Sequence, residues 1–138
     1  MSTDHRPRTL QQRRGEAAER LAARHLERLG WSVLGRNVRV GRAELDIVAL
    51  DPGPPRRLVA VEVRWRSGRA FGLPEESFDR RKRGLVLGAL LGLIATGRLP
   101  DGTALPRATL AIDLIVVEPP NGLGSSGEPR LRHHWDAG

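Results

Sequence analysis

Cysteine and tyrosine are absent from this 138-residue chain, which has a single lysine (Lys82), a single methionine and few aromatic residues, three Trp and two Phe. Without cysteine there are no disulfides and no thiolate metal sites. So few aromatics make single-strand stacking a secondary mode of recognition. No long hydrophobic run occurs. The longest, Gly84 to Ala95, is too short to span a bilayer and is interrupted by three glycines. The arginines of Met1 to Gln12 are not followed by an apolar segment, so no secretory signal is expected and the cytoplasm is the expected compartment. A Gly-rich phosphate loop and a Ser/His/Asp spacing are lacking too.

Acidic residues are in the minority. Sixteen Asp and Glu face 23 Lys and Arg, for a formal net charge of +7. Such a balance favours a polyanionic partner, because basic side chains release condensed counterions when they meet nucleic-acid phosphates. An acidic membrane surface is the competing partner, but no segment supports insertion. The length suits one domain, with 39% apolar residues for its core.

Apolar residues at Ala18, Leu21, Ala22, Leu26 and Leu29 predict a helix from Glu16 to Leu29, stopped by Gly30, after a polar arm over residues 1 to 12. Three strands follow, over Trp31 to Val40 with a bulge at Gly35, Glu44 to Leu50, and Leu58 to Arg66, forming an antiparallel meander. Trp65 shares a face with Val59, Val61 and Val63 and is expected in the core. Ser67 to Ser77 reads as a loop. A second helix, from about Phe78 to Gly97, is basic at its start and apolar nearly all round afterwards, so burial on more than one side is expected. Its Gly84, Gly88 and Gly92 predict close packing on the sheet, with a homodimer contact as the alternative. Thr109 to Val117 is a β-branched strand carrying Asp113, Asn121 to Pro129 reads as flexible, and Leu131 to Trp135 reads as a short edge strand. The class is α/β. His133 and His134, adjacent and so pointing apart, are expected in an exposed tail, and His25 as a packed histidine.

The acids carry the chemical signal. Residues two apart in a strand share a face, so Glu44 and Asp46 point one way, as do Glu62 and Arg64. Side by side, the two strands could join Asp46 and Glu62 near a cation, an arrangement that binds a hard divalent metal. A surface ion pair between Glu62 and Arg64 accounts for the same spacing. Arginine clusters at 36 to 42, 64 to 69 and 80 to 83 flank the acids and suit phosphate-backbone contacts.

The ordered set Gly15-Glu16, Asn37, Glu44-Leu-Asp46-Ile-Val-Ala, Val61-Glu62-Val63-Arg64-x-Arg66, Phe71-Gly72-x-Pro74, Lys82 and Asp113 resembles the YraN family of bacterial proteins. That family is similar to the restriction-endonuclease-like PD-(D/E)XK superfamily and, distantly, to archaeal Holliday-junction resolvases. The resemblance covers about residues 13 to 118. It implies a restriction-endonuclease-like core of helix, three-stranded antiparallel meander, helix and further strand in a mixed sheet. It also implies a Mg²⁺- or Mn²⁺-dependent endonuclease acting on duplex or branched DNA. Asp46, Glu62 and the Val63 carbonyl would be its metal ligands, with Glu16, Arg64 and Lys82 beside them. Glu44 would support the metal site indirectly, and Asp113 would make a structural hydrogen bond. The family usually has lysine where this chain has Arg64. Arginine cannot lose its proton and so cannot serve as a base, which leaves a catalytically impaired nucleic-acid-binding protein as the alternative. Lys82 could supply the missing ammonium.

Overall fold

The computed structural model describes residues 7, 9–66, 74–118 and 127–136. Most of the polar arm, the 67–73 part of the expected loop and the Gly/Ser-containing stretch at 121–126 lie outside them. Helix α1 spans Leu10–Arg28 and begins before the expected Glu16. Its start is set by a capping box: Thr9 Oγ1 accepts from Gln12 N at 3.1 Å, and Gln12 Oε1 accepts from Thr9 N at 2.8 Å. Strands β1 (Ser32–Val40), β2 (Ala43–Asp51) and β3 (Arg57–Trp65) follow, then α2 (Pro74–Ser77), α3 (Arg80–Thr96), β4 (Thr109–Glu118) and β5 (Arg130–His134). The short α2 replaces the end of the expected loop.

The strands form one mixed sheet in the order β1-β2-β3-β4-β5. β3 and β4 are parallel, and the other neighbours are antiparallel. A parallel pair requires a crossover, which here contains α2 and α3. The meander is as the sequence predicts, including the register shift between Val33 and Gly35. The α/β arrangement agrees with the restriction-endonuclease-like core that the resemblance implies.

Each face of the sheet has its own core. Ala18, Ala22 and Leu26 of α1 pack on Ile47, Val59 and Ile115. Val86, Leu90 and Leu93 of α3 pack on Val48, Leu58 and Ile112. Trp65 packs against the α1-side core, although it is only partly buried.

α3 departs from expectation. Leu85 is 54% and Leu91 50% exposed, so the helix buries one side only, despite its nearly uniform apolar composition. A Cβ at Gly84 or Gly88 would meet nothing within 4 Å, whereas one at Gly92 would touch Val40 Cγ1 at 3.3 Å. Close packing thus accounts for Gly92 and not for the other two. No helix among the described residues is long and apolar enough to cross a membrane.

β5 forms the predicted edge, but His133 is not in an exposed tail. Its side chain is 7% exposed, with Nε2 2.8 Å from Asp113 Oδ2 and Nδ1 3.1 Å from His25 Nε2. The carboxylate of Asp113, fully buried on β4, draws it inward. Arg57 also binds Asp113, with its Nη2 3.3 Å from Oδ2, and Asp136 N donates to Oδ1 at 2.9 Å. Asp113 therefore has the structural role expected of it. On the other side of β5, Arg132 and His134 both hold Glu75 of α2.

Candidate metal and nucleic-acid site

The site is built where β2 and β3 part. Their pairing runs from Asp51↔Arg57 to Ile47↔Val61 and stops there. Just beyond, Val63 N donates to the Asp46 carboxylate, Oδ2, at 2.9 Å. A local irregularity aims Asp46 into this gap. Leu45 packs into the α3-side core and Ile47 into the α1-side core, so the usual alternation of faces breaks at the residue between them. On the neighbouring strand, Asn37 lies between Arg36, the partner of Ile47, and Val38, the partner of Leu45, and has φ 50°. Asparagine tolerates that left-handed backbone better than most residues.

Glu62, 6% exposed, meets Asp46 from β3, close enough for the two carboxyls to hydrogen-bond. Burial pushes Glu62 up, and the Asp46 charge adds to the effect, raising it to about 7 against the pull of Arg64 and Lys82. Burial raises Asp46 as well, opposed by the Val63 N–H and the Arg64 charge. A buried carboxyl and a half-buried one this close titrate as a pair and retain a proton near neutrality unless a cation replaces it. Arg64 Nη2 is 3.1 Å from Glu62 Oε1, and Lys82 Nζ, from the first turn of α3, is 3.9 Å from the same oxygen. Asp46, Glu62 and Lys82, with Glu44 and Arg42, line a cleft of about 440 Å³.

This donor set fits a hard divalent cation. Mg²⁺ is content with one or two carboxylates, completing its shell with water and substrate oxygens. The described residues include no cluster of three or more His, Asp or Glu that could hold a metal, so a dedicated all-protein cage is not what they build.

Of the residues singled out in the sequence, Asp46, Glu62, Arg64 and Lys82 come together. Val63 contributes its N–H to Asp46. Glu44 is exposed, lies 3.7 Å from Arg39 and raises the Asp46 pKa. Glu16 is half-buried on α1. Another α1 acid, Glu19, is electrostatically coupled to Asp46, and sequence reasoning passed over it. It is 7% exposed and accepts from Arg36 Nε at 3.1 Å and Asn37 Nδ2 at 2.9 Å. Burial raises its pKa, and the Asp46 charge acts in the same direction. The signal was available: Glu19, Ala22, Ala23 and Leu26 recur at helical spacing and are all buried.

The sequence matches the uncharacterised protein family UPF0102 over residues 18–117. A UPF0102 protein of Symbiobacterium thermophilum is 37% identical over 124 residues, covering 89% of this chain and 93% of its own. One from Roseiflexus castenholzii is 41% identical over 102 residues, 74% of this chain and 80% of its own. One from Desulforamulus reducens is 48% identical over 69 residues, which is 50% of this chain and 55% of that relative.

Proposed function

The chain belongs to the uncharacterised protein family UPF0102, the YraN family that its motifs resemble, and from the geometry of the acid pair we propose that it is a metal-dependent endonuclease hydrolysing phosphodiester bonds in DNA. The observation that carries this reading is the close pair of the half-buried Asp46 and the buried Glu62, open to a cleft with Lys82 beside it. Asp46, Glu62 and the Val63 carbonyl would hold Mg²⁺ or Mn²⁺. When bound, the cation supplies positive charge against the phosphate and acidifies water.

The chain's own residues divide the remaining work. Lys82 brings an ammonium to the cleft, where it stabilises charge developing on the phosphate. Arg64 stays charged throughout, balances Glu62 and contacts phosphate, but takes no proton. Glu19 fixes Asn37 and Arg36 on the strand beside Asp46 and so positions that side chain. Glu16 adds acidic charge one turn earlier on the same helix.

The test is incubation with linear, flapped and four-way DNA in Mg²⁺ or Mn²⁺. Cleavage is expected, lost both in EDTA and in Asp46→Asn; no product from any substrate with either metal would sink the reading. Arg64 itself favours a second reading, that of a nucleic-acid-binding protein without catalysis. That reading predicts metal-independent, salt-sensitive binding, with cleavage appearing only in Arg64→Lys.

A further inference from the structure

A second cleft, of about 630 Å³, opens on the other side of the same strand end, between the start of α1 and residues 63 to 65 of β3. Its chemistry is the reverse of the first. Arg14, Arg64 and Gln11 line it, with Trp65 as an apolar wall, and among the described residues no acid lines it. Arg64 spends one terminal nitrogen on Glu62, while its Nε–H is buried with no acceptor. A buried guanidinium donor without a partner is uncommon, because the desolvation it suffers is normally offset by a hydrogen bond.

Gly15 is the second, independent sign. It sits inside α1 and lines the cleft, yet a Cβ there would meet nothing within 4 Å. Glycine in a helix interior is destabilising relative to alanine. Neither packing nor a positive φ requires it here. A residue that weakens its own helix and leaves open space against two arginines leaves room for something from outside.

We infer that this second cleft binds a phosphate of the nucleic-acid strand adjacent to the one presented to Asp46 and Glu62, held by Arg14 and Arg64 and admitted by the missing side chain at Gly15. The inference rests on the nucleic-acid reading above. Arg64 then joins the two clefts, with Nη2 on the acid pair and the guanidinium of its 30% exposed side chain toward the neighbouring phosphate; its Nε–H, buried as it stands, meets that phosphate only when the side chain shifts.

The experiment measures binding of the full chain to fluorescent duplex DNA in EDTA over a range of salt, for wild type, Arg14→Ala and Gly15→Leu, with Tm recorded for each. A protein loses about 0.9 from its log–log salt slope for each duplex phosphate contact removed. Arg14→Ala is expected to show that loss. Gly15→Leu is expected to bind roughly tenfold more weakly while its Tm holds or rises, since leucine is the better helix former. Wild-type affinity and slope in both Arg14→Ala and Gly15→Leu would overturn the inference and leave the nuclease reading standing. Absence of salt-sensitive binding by wild type would overturn the nucleic-acid reading and this inference with it. Binding without cleavage would remove only the catalytic part, and the cleft assignment would still stand or fall on the two variants.

Discussion

Asp46 shows how much one side chain can conflict with its own fold. It is held by the Val63 N–H, and asparagine in its place keeps an acceptor for that bond while removing the charge that faces Glu62. Glu62 has a folded pKa of about 7 against an ordinary 4.5, so the folded state binds its proton more tightly than the unfolded chain does. The stability that depends on this proton is therefore present at low pH and lost as pH rises from 4.5 through about 7. In metal-free buffer, Asp46→Asn should flatten that loss and melt above wild type on the alkaline side. Thermal melts in EDTA across this range check it, and identical pH profiles for the two proteins would refute it. Asp46 and Glu62 were legible in the sequence because acids interrupting apolar strands stand out, and Lys82 because the chain's single lysine falls where the resembled family has one. Glu19 was not, because the stripe that buries it is mostly alanine, which gives a weak apolar signal and shifts the apparent centre of the buried face toward Leu21 and Leu29.

At the scale of elements, strands and helices were readable from period and punctuation, even where their ends moved. Gly35 marked a true bulge, whereas the Thr9-x-x-Gln12 cap, which sets the start of α1 ahead of the expected Glu16, went unread. The attachment of β5 could not be read, since it depends on a pairing between distant charges. Asp113 is pushed up by burial, but bonds from His133, the Asp136 N–H and Arg57 outweigh this and hold its pKa below 3.8. Its contribution is therefore present above that value and lost as pH falls through the lowered pKa. Asp113→Ala leaves Arg57 and His133 without their shared partner and should destabilise the fold by about 3–5 kcal/mol, measurable by urea denaturation. His25 titrates in the same structure at higher pH. Burial, the neighbouring His133 and Arg28 lower its pKa from 6.5, so its neutral form belongs to the folded state. The sign is that stability falls as pH drops below 6.5, where the unfolded chain takes up the proton first. Hydrogen exchange, corrected for intrinsic rate, should show β5 amides losing protection in that window before those of β3. Simultaneous loss in both strands would show that the edge strand has no opening of its own.

Over the whole molecule, a net charge of +7 fits the proposed polyanion partner without saying which arginines would meet it. The fold sorts them. Arg57 is committed to Asp51 and Asp113, Arg66 to Glu118, and Arg132 to Glu75 and Glu118. At the start of α3 the helix dipole enters as well. Arg80, Arg81, Lys82 and Arg83 occupy its first turn, which has no acid, at the end of the helix where the macrodipole is positive. Cations there are unfavourable by roughly 0.3–1 kcal/mol each, relieved in part by the Asp79 cap, which accepts from Lys82 N at 2.9 Å. An arrangement that lowers stability beside the acid cleft is what phosphate binding would demand. Arg81→Glu, at an exposed position, should therefore raise Tm while weakening DNA binding and reducing its salt slope by about 0.9 or more. Arg57→Ala should do the opposite, lowering Tm and leaving the slope unchanged. Melting temperature and salt slope, measured together for both variants, separate arginines that build the fold from those that serve the nucleic acid. A fall in Tm for Arg81→Glu with DNA binding intact would place that turn among the structural set and remove the start of α3 from the proposed interface.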